Sequence, residues 1–236
     1  MERYLALIGE DAGLLVAAAR DQLGDPVPPC PGWTVADLVE HLARVYQHKI
    51  ACMRQQRDPE PWPPESPADL LRWLEDSTVE LLAELSERGP AAPSYTWHEP
   101  DQTVGFWYRR MAQETAVHRV DAQLARGAAD PIDPELALDG VDELLDIFFA
   151  GDWSDLPQPE LVGRVGLRAA DRSWLVVLDP EEVRIEALAG DPDAVVTAAP
   201  SDLLLWLWGR PAADVQLSGD ADAVDRLRRR LTHVTD

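Results

Sequence analysis

The spacing of apolar residues changes once along this chain of 236 residues, close to Trp153. Before that point, apolar residues recur every three or four positions over long segments, which is the period of an α-helix. Beyond it, short runs rich in β-branched residues alternate with turn signals that contain Asp, Gly and Pro, a pattern typical of strands. We therefore predict a helical bundle over residues 1–152 and a small α+β domain over residues 153–236.

The sequence pattern of residues 1–152 predicts four long helices in an up-and-down arrangement. Thr34 is the expected N-cap of the second helix, with Asp37 at the N3 position of a capping box. Ser66 and Pro67 are the expected N-cap and first residue of the third helix. The predicted segments are helices near 2–23, 35–57 and 67–88, a proline-rich crossover at 58–65, a fourth helix around 109–122 and a fifth near 135–150. Bundles of this kind hold their sites between facing helices.

The second part predicts a sheet with two helices. The strands are expected near residues 161–167, 174–178, 183–188, 194–197 and 215–217, with a short helix at 203–208 and a closing helix at 220–231. Turn signals such as Asp179-Pro180 and Gly190-Asp191-Pro192 separate the first four strands.

The formal net charge of −22 restricts the partners of the chain. Nucleic acid requires a basic surface, and an anionic membrane attracts one, so neither is an expected partner. No apolar run reaches the 18 or more residues that a membrane span needs, and the N-terminus lacks a signal-peptide pattern. Two cysteines do not make a disulfide framework, so we expect a cytoplasmic protein with reduced thiols.

Three residues of the bundle have the chemistry of metal ligands. Glu114 and His118 are four residues apart on the fourth helix, so their side chains share one face. His41 lies on the second helix in an equally helical setting. Together they would supply two nitrogens and one oxygen and leave a coordination position open, as in catalytic zinc sites. The alternative is an ordinary Glu–His pair on a solvated helix face.

Other candidate ligands lie too far away for the same ion. His48 is seven residues after His41, about 10 Å further along the helix axis. Cys30 and Cys52 are each expected about 15 Å or more from His41, beyond reach of the metal. We expect His48 to be a polar residue outside the site and both cysteines to be inert thiols.

Several motifs resemble one known family along nearly the whole chain. Cys30-Pro31-Gly32-Trp33-Thr34-Val35-Ala36-Asp37-Leu38, followed by His41-Leu42, is similar to the entry motif of the mycothiol-dependent maleylpyruvate isomerase family. The run Glu114-Thr115-Ala116-Val117-His118-Arg119-Val120-Asp121-Ala122 resembles its second motif. The segments 204–211 and 217–220 resemble its C-terminal domain.

The resemblance implies a DinB-like four-helix metal-binding domain followed by a small sterol-carrier-like α+β domain. It also implies a divalent metal, usually zinc, held by His41, Glu114 and His118, and mycothiol as the thiol cosubstrate. One departure is Gln113, where many relatives have His before the Glu. Because neighbouring positions on a helix face apart, this difference should alter the pocket and leave the metal ligands intact.

The implied chemistry is activation of a small thiol. A metal deprotonates a bound thiol at neutral pH. In an isomerase, the thiolate adds to a cis double bond, the single bond rotates, and elimination gives the trans product. In an S-transferase, the thiolate attacks an electrophile and stays attached. The alternative from another class is a non-catalytic, metal-containing protein that binds a small molecule.

Further residues have two interpretations each. Arg210 follows the short helix and is the candidate for binding a substrate carboxylate through its forked guanidinium, or it caps the C-terminus of that helix. Asp37 and Asp121 lie one turn from His41 and His118, and we favour surface acids over partners that orient the ligands. Trp33, Trp97 and Trp107 are expected in the core more than in a pocket. The sequence does not indicate an oligomeric state.

Overall fold

The computed structural model describes residues 1–235 and divides into two compact units, residues 1–130 and the residues from 131 onward. The first unit is helical and the second is a small mixed sheet with helices, so the predicted fold class is confirmed. The domain boundary that we predict between residues 152 and 153 stays a prediction. No helix among residues 1–235 is both long and apolar enough to span a membrane.

The helical unit contains four long helices: α1, Glu2–Ala19; α2, Val35–Gln55; α3, Leu70–Arg88; and α4, Val104–Leu124. Helix α1 packs mainly on α4, and α2 packs mainly on α3. Fully buried side chains such as Ile8, Leu42, Tyr46 and Leu81 form the core. Helix α4 is buried on most of its sides, which explains why its sequence lacks a clear polar stripe.

The start of α3 differs from the prediction. The helix begins at Leu70, and the Asp69 side chain caps it by accepting a hydrogen bond from the Arg72 backbone N–H at 3.1 Å. The Ser66 hydroxyl, which we expected to be the cap, instead accepts a hydrogen bond from the Arg44 guanidinium on α2 at 2.9 Å. The Ser66 side chain therefore contacts α2 and does not cap α3.

The second unit begins with α5, Pro134–Glu143, which continues into a π-helical turn, Leu144–Phe149. The predicted single segment at 135–150 is thus two kinds of helix. The remaining elements are β1, Gly151–Asp152; β2, Gly163–Ala169; β3, Arg172–Asp179; β4, Glu182–Glu186; β5, Ala194–Ala198; α6, Pro200–Leu207; β6, Val215–Gly219; and α7, Ala221–Thr235.

The sheet has the strand order β1-β4-β3-β2-β5-β6. Only β2 and β5 pair in parallel, with Leu167 opposite Val196, and the other neighbouring strands are antiparallel. Helix α7 packs against β2 and β5. This antiparallel sheet with a single parallel pair and helices on the sheet is the α+β architecture that the sequence predicts.

Candidate metal centre

A short loop before α2 shapes one wall of the site. The backbone N–H of Val27 donates to the Trp33 carbonyl at 2.9 Å, and the N–H of Trp33 donates to the Cys30 carbonyl at 3.0 Å. Gly32 has a φ of +85°, which favours glycine at this tight turn. The loop then enters α2 through the predicted capping box, in which the Thr34 hydroxyl accepts from the Asp37 N–H at 3.3 Å. Asp37 is therefore a capping residue.

Three side chains converge between α2 and α4. Glu114 Oε1 lies 3.1 Å from His41 Nε2 and 3.3 Å from His118 Nε2. A ring nitrogen of each histidine and a carboxylate oxygen of Glu114 all lie within 4.8 Å of one another. The two imidazole rings are 5.0 Å apart between their centroids and nearly perpendicular. The structure thus brings together the three residues that the sequence predicts as ligands.

Glu114 is held between cations. Arg110, one turn earlier on α4, donates from Nη2 to Glu114 Oε2 at 2.7 Å, and its side chain is only 7% exposed. Burial favours the protonated carboxyl, but His118, His41 and Arg110 outweigh it and hold the pKa of Glu114 well below its usual range. Glu114 is therefore a carboxylate at neutral pH. Arg110 was not singled out from the sequence, although an Arg–Glu–His series at four-residue spacing was visible there.

His118 lies between two carboxylates. Its Nδ1 is 3.0 Å from Asp121 Oδ2, and its Nε2 faces Glu114. Burial disfavours the charged imidazole, but Glu114 and Asp121 outweigh it and raise the pKa of His118 to about 9. The Asp121 side chain is fully buried. The interpretation of Asp121 as a surface acid is therefore wrong, because the residue orients His118 from behind.

The Cys30–Trp33 loop folds back onto this centre. The Cys30 thiol donates to Asp121 Oδ2 across 3.7 Å, and the Trp33 ring lies 5.0 Å from the His41 ring and 6.5 Å from the His118 ring. The expectation that Cys30 is remote was wrong, because spacing along the helix axis ignored the return of the loop. Trp33 lines the site, whereas Trp107 is a core residue whose indole donates to Ser94 Oγ at 2.9 Å.

The donor set fits a divalent metal ion. His41 and His118 offer neutral imidazole nitrogens once deprotonated, and Glu114 offers an anionic oxygen, which is a common set in catalytic zinc sites. Asp121 on Nδ1 fixes the tautomer in which Nε2 of His118 faces the site, as carboxylates do behind metal-bound histidines. A cation would replace the proton that His118 otherwise shares with Glu114.

A second group of potential ligands, His48, Cys52 and Asp58, lies further along α2. The Cys52 thiol lies 3.4 Å from His48 Nδ1, while Asp58 Oδ1 lies 3.2 Å from His48 Nε2. The Lys49 ammonium is also 3.1 Å from Nδ1. Because the thiol and the carboxylate contact opposite ring nitrogens, this geometry favours a hydrogen-bonded chain over chelation of one ion.

Four further residues have contacts or exposure that describe their local settings. Arg210 belongs to the second unit, where its Nη1 donates to the Trp208 carbonyl at 2.8 Å, as an arginine that caps a helix would. Gln113 is buried, with 1% of its surface exposed. His98 stacks on Phe106 with ring centroids 5.6 Å apart, and Trp97 is exposed.

Comparison with known proteins covers most of the chain. A family model described as "Mycothiol maleylpyruvate isomerase N-terminal domain" matches residues 5–123, and one described as "MDMPI C-terminal domain" matches residues 135–226. A crystal structure of the mycothiol-dependent maleylpyruvate isomerase is similar with a TM-score of 0.62 and 15% identity, over 93% of this chain and 94% of that chain. The structure of a mutant of that isomerase matches with the same values. No curated protein matches the sequence.

Proposed function

Because the chain belongs to the mycothiol maleylpyruvate isomerase family, we propose that it is a metal-dependent enzyme that activates a small thiol, mycothiol, for reaction with a small electrophile. The reaction is cis–trans isomerisation of a maleylpyruvate-like substrate, or S-transfer to an electrophile at the same site. His41, Glu114 and His118 hold the ion, which is zinc or another divalent metal. The cytoplasm, where thiols stay reduced, is the expected compartment.

One observation carries this proposal: two imidazole nitrogens meet around a single oxygen of Glu114. Three protein ligands leave a position for a further ligand, which distinguishes catalytic from structural zinc sites. When bound there, the metal lowers the pKa of a coordinated thiol, so that thiolate is available at neutral pH.

Neighbouring side chains hold the proposed metal ligands in position. Arg110 and Asp121 hold Glu114 and His118 in place from the sides opposite the site. The Trp33 ring beside both histidines provides an apolar wall on one side of the site. The Glu114 carboxylate would offset part of the charge of a divalent cation.

Arg210 is the proposed carboxylate-binding residue for the substrate. Its forked guanidinium has the shape and charge that bind a carboxylate through two parallel hydrogen bonds. Arg210→Lys should raise KM more than it lowers kcat, since an ammonium replaces the bidentate contact with a single charge. Arg229→Lys is the matched control, because Arg229 is 61% exposed and pairs loosely with Glu160 at 3.4 Å. Equal kinetics in both variants would leave Arg210 as a helix-capping residue only.

The test of the proposal is metal content together with thiol-dependent turnover. Wild-type protein should bind about one divalent ion, and His41→Ala, Glu114→Ala and His118→Ala should lose most of it, because two remaining ligands chelate poorly. Mycothiol should then support isomerisation of maleylpyruvate by the loaded wild type alone.

His48→Ala is the matched control, since it removes a half-buried histidine from the same helix as His41. It should keep full metal content and activity. If His48→Ala loses the metal while His118→Ala keeps it fully, the metal binds near His48 and the proposed ligands are wrong. Metal binding without turnover of any thiol and electrophile would favour the non-catalytic binding protein.

A further inference from the structure

Arg110 occupies a distinct place in the geometry of the centre. Arg110, Glu114 and His118 are four residues apart in sequence and lie on one face of α4. The guanidinium contacts Glu114 from one helical turn below, at 2.7 Å, and the imidazole contacts it from one turn above, at 3.3 Å. The two oxygens of the carboxylate therefore have different neighbours.

The neighbours of Glu114 differ between its two carboxylate oxygens. Oε2 accepts the hydrogen bond from Arg110 Nη2, whereas Oε1 faces both His41 and His118. The last side-chain torsion of a glutamate is broad, so a carboxylate without such a partner turns freely and offers both oxygens. The Arg110 side chain is 7% exposed and that of Glu114 is 18% exposed, so the pair is shielded from water and strong.

We propose that Arg110 is a positioning residue that limits Glu114 to one ligand oxygen and so keeps a coordination position free for the thiol. The inference rests on the proposed function, because it concerns the ion that the function requires. The guanidinium is charged at every relevant pH, so the restraint is permanent. A carboxylate released from Arg110 would be able to bind the ion through both oxygens and occupy the position that the thiol needs.

The chain offers a matched control on the same helix. Arg119 is 2% exposed, compared with 6% for Arg110, and its Nε donates to the Asp11 carboxylate at 3.0 Å. Arg119→Met and Arg110→Met each remove one buried guanidinium from α4 and leave one carboxylate behind. Only Arg110→Met frees an acid that belongs to the candidate centre.

The experiment uses Co²⁺ as the probe in the full-length protein, because the visible absorbance of Co²⁺ reports its coordination geometry. We expect Arg110→Met to show a weaker visible band per bound cobalt than wild type, as coordination number rises. Titration with mycothiol should give a sulfur-to-cobalt charge-transfer band in wild type and a much weaker one in Arg110→Met. Arg119→Met should keep both spectra, whatever its loss of thermal stability.

Arg110→Lys is the conservative variant and covers the case in which Arg110→Met does not fold. It keeps a cation beside Oε2, so it should recover most of the wild-type spectrum. An unchanged cobalt spectrum and thiol titration in Arg110→Met would overturn this inference alone, and so would loss of the wild-type spectrum in Arg110→Lys, which keeps a cation beside Oε2. Equal changes in Arg119→Met would also overturn it, because the effect would then be a general loosening of α4. A wild-type protein that binds no cobalt would instead overturn the proposed function together with this inference.

Discussion

At the scale of single residues, His118 determines how the candidate centre responds to pH. Its pKa is raised from 6.5 to about 9 by the two carboxylates, against the effect of burial. A raised pKa means that the folded protein binds the proton more tightly than the unfolded chain. The resulting stabilisation is fully present below pH 6.5 and is lost as the pH rises through 9.

We therefore predict that metal-free protein, prepared with a chelator, melts at progressively lower temperature between pH 6.5 and 9. In zinc-loaded protein the cation takes the place of the proton, so this part of the decline should disappear. Scanning calorimetry at several pH values measures both. His118→Gln is the control, and a decline of equal size in that variant would assign the effect to another group.

Arg230 on α7 gives a prediction about stability. The residue is fully buried, its guanidinium lies over the Trp153 ring at 4.3 Å, and its side-chain nitrogens have no hydrogen-bond partner within residues 1–235. A buried cation without a partner costs several kcal/mol, whereas a desolvated cation–π contact contributes about 2 kcal/mol. Replacement by an apolar side chain of similar length should therefore stabilise the protein.

Arg230→Met should unfold at a higher urea concentration than wild type, by an amount equivalent to about 1–4 kcal/mol. Arg229→Met is the neighbouring control on the same helix, and as an exposed substitution it should lie within about 0.5 kcal/mol of wild type. A clear loss of stability in Arg230→Met would show that the guanidinium has a favourable partner, such as bound water or an anion.

At the scale of elements, the sequence predicts a helix start correctly where the residues that form it are close together in sequence. The capping box of α2 depends only on Thr34 and Asp37, so four residues of sequence were enough to predict it. The start of α3 was misplaced because Ser66 and Asp69 are both good caps, and a contact with Arg44 of α2 decides between them. The π-helical turn at Leu144–Phe149 was missed because its apolar spacing over six residues barely differs from that of an α-helix.

The caps give a paired prediction. In Thr34→Ala, α2 loses a side-chain acceptor for the Asp37 N–H, so the free energy of unfolding should fall by about 1 kcal/mol. Thr103 is the N-cap of α4 but makes no capping hydrogen bond to that helix. Thr103→Ala should therefore cost less than Thr34→Ala in urea denaturation. The reverse order would mean that the loop contacts of Thr103 outweigh the cap of α2.

At the scale of the whole molecule, the order of the two architectures follows from the change in apolar period near Trp153. The three candidate ligands were predictable because helical spacing puts Glu114 and His118 on one face. The proximity of Cys30 and the burial of Asp121 were not, since both depend on how the loop before α2 packs against α4. Spacing along a helix axis does not give the position of a residue in a loop that folds back against the helices.

Because that loop brings Cys30 close to the centre, the source of the thiol is a decisive question for the proposed activity. Cys52 is fully buried, contacts His48, and burial raises the pKa of its thiol to about 11, so it is not a nucleophile at neutral pH. Cys30 is half-buried near the centre, but its thiol lies 3.7 Å from the Asp121 carboxylate, whose charge repels a thiolate. We predict that neither cysteine replaces an added thiol.

The double variant Cys30→Ser, Cys52→Ser should therefore keep metal and isomerise maleylpyruvate at a rate close to wild type when mycothiol is supplied. Wild type without an added thiol should be inactive, because its own sulfurs are buried or beside a carboxylate. A spectrophotometric assay of both proteins, with and without mycothiol, measures the four rates. The single variant Cys52→Ser is the control for packing, since it alters a buried side chain away from the three ligands. Thiol-free turnover by wild type that disappears in the double variant and persists in Cys52→Ser would identify Cys30 as an internal nucleophile. In that case the role of mycothiol as cosubstrate would be wrong for this member of the family.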